Sequence, residues 1–265
     1  MASLPLISIV MPCYQQAAFV EEAVRSVLDQ REVEVELLVM DPGSADGSRE
    51  LLRKLGKEYG ERLGLHFEPD LGQADAVNRG MVLAKGYVLG WLNSDDRLRP
   101  GALRRVVSQL SRDKAAWLYG QAGIIDATGR TVSALIGRYK ACRGRRFTRV
   151  KLLSENFIPQ MAVFWNRPMW EAAGGLDIHK HLDMDYDLWL RFATVADPVV
   201  LTDELADFRV HGAAKGSVQT DEQLDAALAT ARHHAAGLGI GGRTAIVLHR
   251  LLSWRTRMLY RWLKP

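Results

Sequence analysis

Tyr87-Val-Leu-Gly-Trp-Leu-Asn-Ser-Asp-Asp96 is an apolar run of strand length that stops abruptly at two adjacent carboxylates, Asp95 and Asp96. A strand buried on both faces reads as an unbroken apolar run. In open α/β sheets, ligands collect at the carboxyl ends of such strands. Two neighbouring carboxylates there repel each other unless positive charge lies between them. A hard divalent cation with oxygen ligands, itself bridging a diphosphate, meets that demand. The bland alternative is a solvated acidic turn ahead of the helix that Pro100 starts.

Outward from this run, strands and helices alternate. Leu6-Ile-Ser-Ile-Val-Met11 reads as a buried strand, followed by a helix from Phe19 to Leu28 with apolar residues at three-to-four spacing. Val35–Met40 is the next strand and ends at Asp41; Ser44 and Asp46 are positioned to cap a helix over about 47–59. Leu65–Phe67 is a short strand, and a helix from Ala74 to Ala84 is closed by Gly86. This rhythm predicts βαβ units and a mainly parallel sheet. It sets Pro12 to Tyr14, Asp41 to Ser44 and Asn93 to Asp96 along one edge, at the ends of successive strands. After Trp117 a hairpin (118–126 with 130–135), a basic loop from Arg138 to Lys151 and a strand from Ile158 to Trp165 are expected. Pro168 then opens a short helix ended by Gly174 and Gly175. A helix from Asp183 to Thr194, a strand from Val199 to Thr202 and helices over 222–236 and 244–263 complete the chain.

The bulk properties narrow the class. A chain of 265 residues is long enough for one large α/β domain plus an appendage, or for two small domains. Two cysteines, Cys13 and Cys142, make no disulfide framework and suit a reducing compartment. No signal peptide and no membrane-spanning run is expected. The net charge of +4 is concentrated in Arg138–Lys151 and the last two dozen residues. No helix-turn-helix, zinc or RNP pattern accompanies it, so no nucleic-acid partner is expected. Gly237-Leu-Gly-Ile-Gly-Gly242 follows a helix rather than a strand, so it reads as a hinge and not as a dinucleotide fingerprint.

Six motifs in order carry a resemblance. They are Ser8-Ile-Val-Met-Pro-Cys-Tyr14, Met40-Asp-Pro-Gly-Ser-Ala-Asp-Gly47, Asp70-Leu-Gly-Gln-Ala-Asp-Ala-Val-Asn-Arg-Gly80, Trp91-Leu-Asn-Ser-Asp-Asp96, Asp183-Met-Asp-Tyr-Asp-Leu-Trp189 and Phe208-Arg-Val-His211. Over about residues 5–217 the chain resembles the family 2 glycosyltransferases of GT-A fold. The resemblance implies a hexosyltransferase-type enzyme that moves a sugar from a nucleotide donor, a UDP-sugar, to an acceptor hydroxyl with inversion. It implies a catalytic domain over 1–217, with a nucleotide-binding half (1–116) and an acceptor half (117–217), and a C-terminal helical appendage over 218–265.

Carried over residue by residue, the resemblance has Pro12 and Tyr14 lining the base and Asp41 accepting a hydrogen bond from it. Pro42 stands where the family often has a second acid. Gln73, Asp75, Asn78 and Arg79 would hold ribose and donor sugar; positions 75, 78 and 79 share one helix face. Asp96 is the implied ligand of Mn²⁺ or Mg²⁺, His211 a further ligand, and Asp95 a ribose or metal-water contact. Asn93 replaces an acid frequent in the family. Asp185 is the implied general base, with Asp183 as its substitute or an acceptor contact and Gln160 a further acceptor contact on a strand. Lys215 would meet the diphosphate as a point charge.

On a helical wheel of residues 243–264, Arg243, Arg250, Arg257, Arg261 and Lys264 fall on one side. Leu248, Leu251, Leu252, Trp254, Met258, Leu259, Trp262 and Leu263 fall on the other, with Arg255 as the exception. Such a helix lies in a membrane interface, or else packs on the catalytic domain or a second subunit. The expectation is a peripheral enzyme on the cytoplasmic face of an anionic membrane, acting on a glycan or lipid-linked acceptor in cell-surface polysaccharide biosynthesis. A sugar nucleotidyltransferase would need a Gly-rich, basic loop after the first strand, which Pro12-Cys-Tyr-Gln-Gln16 is not. A membrane-bound scaffold with a degenerate transferase fold has only Pro42 and Asn93 in its favour.

Overall fold

The structure, a computed structural model, describes residues 6–110, 114–132, 144–212 and 220–263. Lys215, Cys142 and residues 133–143 of the expected hairpin and basic loop lie outside them. The elements in chain order are β1 (Leu6–Pro12), α1 (Val20–Leu28), β2 (Glu34–Met40), α2 (Ser48–Tyr59), β3 (Leu63–His66), α3 (Gln73–Leu83), β4 (Val88–Trp91), β5 (Arg97–Leu98) and α4 (Ala102–Gln109). Then follow β6 (Trp117–Ile125), α5 (Arg149–Ser154), β7 (Val163–Asn166), α6 (Arg167–Ala173), α7 (Met184–Val195), β8 (Val199–Arg209), α8 (Thr220–Ala235) and α9 (Gly239–Leu263).

The strands form one eight-stranded sheet in the order β3-β2-β1-β4-β7-β6-β8-β5. The β3-β2-β1-β4 half is parallel, with Ile9 paired to Leu37 on one side and to Gly90 on the other. β7 runs antiparallel to β4 and β6, and β8 parallel to β6. Side chains alternate across this curled layer. Ile7, Ile9, Met11, Leu37 and Val39 pack with α1, α2 and α4 on one face. Val10, Leu38, Met40 and Trp91 pack with α3 and the aromatic core of the second half on the other. The close approach of α3 needs a glycine, because a Cβ at Gly80 would lie 2.4 Å from Val10 Cγ1.

Trp117, Trp165 and Trp189 anchor the second half. The Trp117 and Trp189 rings stack at 6.1 Å, and Trp117 Nε1 donates to the Ala196 carbonyl at 2.8 Å. α7 is buried nearly all round, which holds the carboxylates at its N-terminus in place.

Several sequence expectations shift. Gly47, in the left-handed region at φ 99°, is the N-cap of α2. Asp46 instead accepts from the Ser48 amide and hydroxyl, and Ser44 turns to the Gln15 amide. Gly86 does not cap α3, whose C-cap is Ala84; it packs on the Ser8 backbone, where a Cβ would lie 2.6 Å from the amide nitrogen. Residues 160–162 form a 3₁₀ turn, so β7 begins only at Val163. β8 runs on to Arg209, because it has β6 on one side and β5 at its far end to pair with. The basic stretch is not all loop, since α5 starts at Arg149. The glycine-rich hinge narrows to Gly237–Gly239, and the remaining glycines are helical.

α9 departs most from the two-sided wheel. Its inner side is Ala245, His249 and Ser253, all buried, packed on α5 and α8. His249 Nδ1 lies 2.8 Å from the Leu153 carbonyl. The large apolar residues Val247, Leu248, Leu251, Trp254 and Met258 are exposed.

Candidate active site

Three loops meet at the carboxyl edge of β1, β2 and β4. After β1, Gln15 takes a left-handed φ of 55°, and the loop is tied to the one after β2. The amides of Gln15, Gln16 and Ala17 donate to Ser44 Oγ, Ser48 Oγ and Asp46 Oδ2 at 2.8, 3.0 and 2.8 Å. Cys13 is buried beneath, its thiol pushed up to about 12 chiefly by desolvation. Tyr14 stands 61% exposed above. An exposed aromatic on a pinned loop is a surface on which a flat ring can stack.

Asp41 is fully buried. Its Oδ1 accepts from the amides of Gly43 and Ser44 and from Arg49 Nε, at 2.9, 2.8 and 2.9 Å. Burial alone would raise its pKa; these bonds outweigh burial and lower it. Oδ1 therefore serves its own turn. Oδ2, however, is buried without a hydrogen bond, which leaves an acceptor for a ligand N–H. Arg49, eight residues on, had no signal in the sequence.

On α3 the expected helix face divides. Gln73 Nε2 donates to Asn93 Oδ1 at 2.7 Å, at the tip of β4. Asp75 Oδ2 accepts from the Leu71 amide and so serves its own loop. Asn78 exchanges two hydrogen bonds, each 2.8 Å, with the backbone of Leu176. Arg79 reaches the Pro69 carbonyl and Glu68. Asn78 and Arg79 thus both hold protein to protein, Asn78 to the loop after α6 and Arg79 to the loop before α3. The helix turns Asn78 toward the loop after α6, which a wheel of one helix cannot reveal.

Asn93 is a hub rather than a gap. Its Oδ1 also accepts from Trp91 Nε1 at 2.9 Å, and its Nδ2 faces Gln160 Oε1 at 3.3 Å. Gln160 Nε2 donates to the Trp91 carbonyl at 2.7 Å. Gln160 therefore sits on the 3₁₀ turn, not on a strand, and stitches it to the end of β4.

Asp96 is 1% exposed. Its Oδ1 accepts from the Arg209 amide at 2.9 Å, and its Oδ2 is buried without a hydrogen-bond partner. Desolvation first, then Asp95, raises its pKa well above the carboxylate range. Asp95 Oδ2 lies 3.1 Å from His211 Nε2, across 116 positions of sequence. Antiparallel pairing of Arg97 with Asp207 makes that meeting possible. Arg209, 1% exposed, completes the frame: Nε donates to the Asp95 carbonyl at 2.7 Å and Nη2 to Glu22 at 2.6 Å. The Phe19 ring centre lies 4.9 Å from the Arg209 guanidinium and 4.7 Å from the centre of the His211 ring.

Among the described residues no group of three or more His, Cys, Asp and Glu is arranged to hold an ion unaided. Asp96 with its bare Oδ2, and the Asp95–His211 pair beside it, still suit Mg²⁺ or Mn²⁺. Such ions are commonly held by one or two carboxylates, with waters and substrate phosphates completing the shell.

Asp185 and Asp183 lie at the start of α7. Asp185 Oδ1 accepts from the Tyr186 amide at 2.7 Å, and its carboxyl pKa is raised to about 6. Desolvation is the main cause and Asp183 adds to it, while Asn156 opposes. Segment 156–160 touches both centres, Asp185 through Asn156 and Asn93 through Gln160. Asp183 is buried, its Oδ2 unpartnered by hydrogen bonds and 3.5 Å from Lys180 Nζ. It borders a cavity of about 850 Å³ lined also by Lys180, Asp187, Arg191, Thr230 and His234. Asp187 is structural, paired with Arg191 and His234 at 2.9 Å each. Nothing in the sequence pointed to His234 on α8 as its counterpart.

The family model described as glycosyl transferase family 2 matches residues 8–171. The chain belongs to that family. This glycosyltransferase is 29% identical over 195 residues to the chondroitin synthase of Pasteurella multocida (strain Pm70), which covers 72% of this chain and 19% of that protein. The match thus spans about a fifth of the relative's length. Among solved structures, S. aureus TarS 1-349 in complex with UDP-GlcNAc superposes with a TM-score of 0.68 at 14% identity, over 92% of this chain and 70% of that one. The mannosyltransferase PcManGT of Pyrobaculum calidifontis, in complex with GDP-Man and Mn²⁺, gives a TM-score of 0.70 at 17% identity, over 94% and 74%. At these identities the structural likeness is one of fold, the GT-A fold. The family match sets aside the nucleotidyltransferase alternative.

Proposed function

We propose that this glycosyltransferase is metal-dependent and inverting, and moves a hexose from a UDP-sugar to a hydroxyl of a glycan or lipid-linked acceptor. The reaction would serve cell-surface polysaccharide synthesis on the cytoplasmic face of the membrane. One observation carries the reading: at one sheet edge, two buried carboxylate oxygens, Asp41 Oδ2 and Asp96 Oδ2, lack hydrogen-bond partners. The names of the relatives, a chondroitin synthase and proteins bound to UDP-GlcNAc or GDP-Man, support the substrate class.

In this reading Tyr14 stacks on the base and Asp41 Oδ2 accepts from its ring N–H. Asp96, with Asp95 and His211, would hold Mn²⁺ or Mg²⁺. When bound, the ion would supply Lewis-acid compensation of the departing diphosphate charge. Arg209 and Phe19 fix the Asp95–Asp96 turn and the His211 ring. Asp185 takes the proton of the acceptor hydroxyl as its oxygen bonds to C1. The bond from C1 to the diphosphate oxygen breaks, and its electron pair leaves with the nucleoside diphosphate. A base with a pKa near 6 is mostly ionised at pH 7 and more basic than a solvated aspartate. Asp183 and the adjoining cavity serve the acceptor side. Lys215 keeps its proposed role at the diphosphate.

The test is nucleotide release from a panel of UDP-, GDP- and dTDP-sugars with Mn²⁺, Mg²⁺ or chelator. Calorimetry of UDP with and without metal accompanies it. Asp96→Asn should weaken metal–nucleotide binding about tenfold or more. Equal binding by wild type and variant refutes the assignment.

A further inference from the structure

α9 has an unpartnered side opposite the one packed on α5 and α8. Ile240, Val247, Leu251, Trp254 and Met258 follow at steps of seven, four, three and four residues, which on a helix is a single stripe. They are 83%, 57%, 59%, 64% and 42% exposed, and Leu248 beside them is 42% exposed. Arg243, Arg250 and Arg257 recur every seventh residue along one margin, and Arg255 stands on the other. Between Gly239 and Leu263 the sequence has five arginines and no Asp or Glu. Arg257 turns back to Asp221 and Asp225 of α8, while Arg243 and Arg250 are exposed. The apolar surface continues onto α5: exposed Val150 lies 3.9 Å from where a side chain on Gly241 would start, and Arg145 and Arg146, just before it, are exposed.

No helix among the described residues is long and apolar enough to cross a membrane. A second copy of the chain fits this face poorly. In a parallel coiled-coil pairing the stripe would supply the seam, with Arg243, Arg250 and Arg257 at one flank and Leu248 and Arg255 at the other. Arg250 of one copy would then oppose Arg255 of the other, like charge against like charge. An anionic lipid surface suits both features, with apolar depth for the stripe and phosphate for the arginines at its margins.

We propose that α9 docks this enzyme flat on an anionic lipid surface, with Ile240, Val247, Leu251, Trp254 and Met258 at the acyl boundary and Arg243 and Arg250 among the headgroups. The docking is independent of which residue is the catalytic base. The full chain is sedimented with vesicles of phosphatidylcholine alone or with phosphatidylglycerol added. Wild type should bind only the anionic vesicles and be released by high salt. The exposed double variant L251D/W254D should lower vesicle affinity about tenfold or more. R243E/R250E should also weaken it and flatten the salt dependence. Should L251D/W254D fail to fold, R243E/R250E carries the same test. Calorimetry with UDP, expected unchanged in both variants, separates lost docking from a damaged or misassigned nucleotide site. The proposal is overturned if wild type ignores anionic vesicles or binds neutral ones equally. It is also overturned if light scattering shows a dimer that L251D/W254D dissociates while vesicle binding persists.

Discussion

Replacing Asp185 by Asn should separate stability from catalysis in opposite directions. Desolvation, reinforced by Asp183, lifts the Asp185 carboxyl from 3.8 to about 6 in the folded chain. A shift of about two units corresponds to roughly 3 kcal/mol of native-state penalty on the ionised form, less whatever residual solvent screening removes. Because the folded pKa is raised, the native state holds the extra proton between about pH 4 and 6. Stability from this group therefore declines as pH rises through that window, and the full penalty is present above about pH 6. The substituted carboxamide keeps an acceptor for the Tyr186 amide and never ionises, so the variant escapes the penalty. At pH 7.5 its melting temperature should exceed wild type by up to about 5 °C for a chain of this size. Near pH 4.5 most of that difference should vanish. Transfer should fall by about 10²–10⁴ with donor affinity kept, since only the proton acceptor is lost. In the wild type, turnover should rise with pH through an apparent pKa near 6, and Asp183→Asn should move that midpoint down. Differential scanning fluorimetry at the two pH values and a pH–rate profile read these outcomes. Activity retained within about tenfold, or a melting shift equal at both pH values, refutes the reasoning and turns attention to Asp183.

Other outcomes follow from the clamps around the site. Asn78→Ala removes two hydrogen bonds to Leu176 and should cost about 1–3 kcal/mol in urea unfolding while leaving UDP affinity unchanged; a lost affinity would return Asn78 to the nucleotide face. Gly80→Ala forces a methyl against Val10 Cγ1 at 2.4 Å and should destabilise by about 1–3 kcal/mol, read by the same unfolding curves. A neutral result there would mean that α3 can shift away from β1.

The strand-and-helix alternation, the buried runs of β1, β2 and β4, and the acidic turn at Asp95–Asp96 were legible in the sequence because each is local. An apolar run, a period and a charged stop lie within a dozen residues of one another. Asp185 was marked by its motif and by its place at the start of a helix. Tertiary structure decided what depends on contact between distant segments. The β5–β8 pairing brings His211 and Arg209 to Asp95 and Asp96. The turn of α3 sends Asn78 to Leu176, and α8 delivers His234 to Asp187. The same holds for α9. Its amphipathic character was written in the sequence, but which face turned inward depended on α5 and α8. Those helices took the small and polar residues Ala245, His249 and Ser253, and left Val247, Leu248, Leu251, Trp254 and Met258 outside. Periodicity encodes the sides of a helix; only the neighbour's shape and hydrogen-bonding groups, here the Leu153 carbonyl, select the side that is buried.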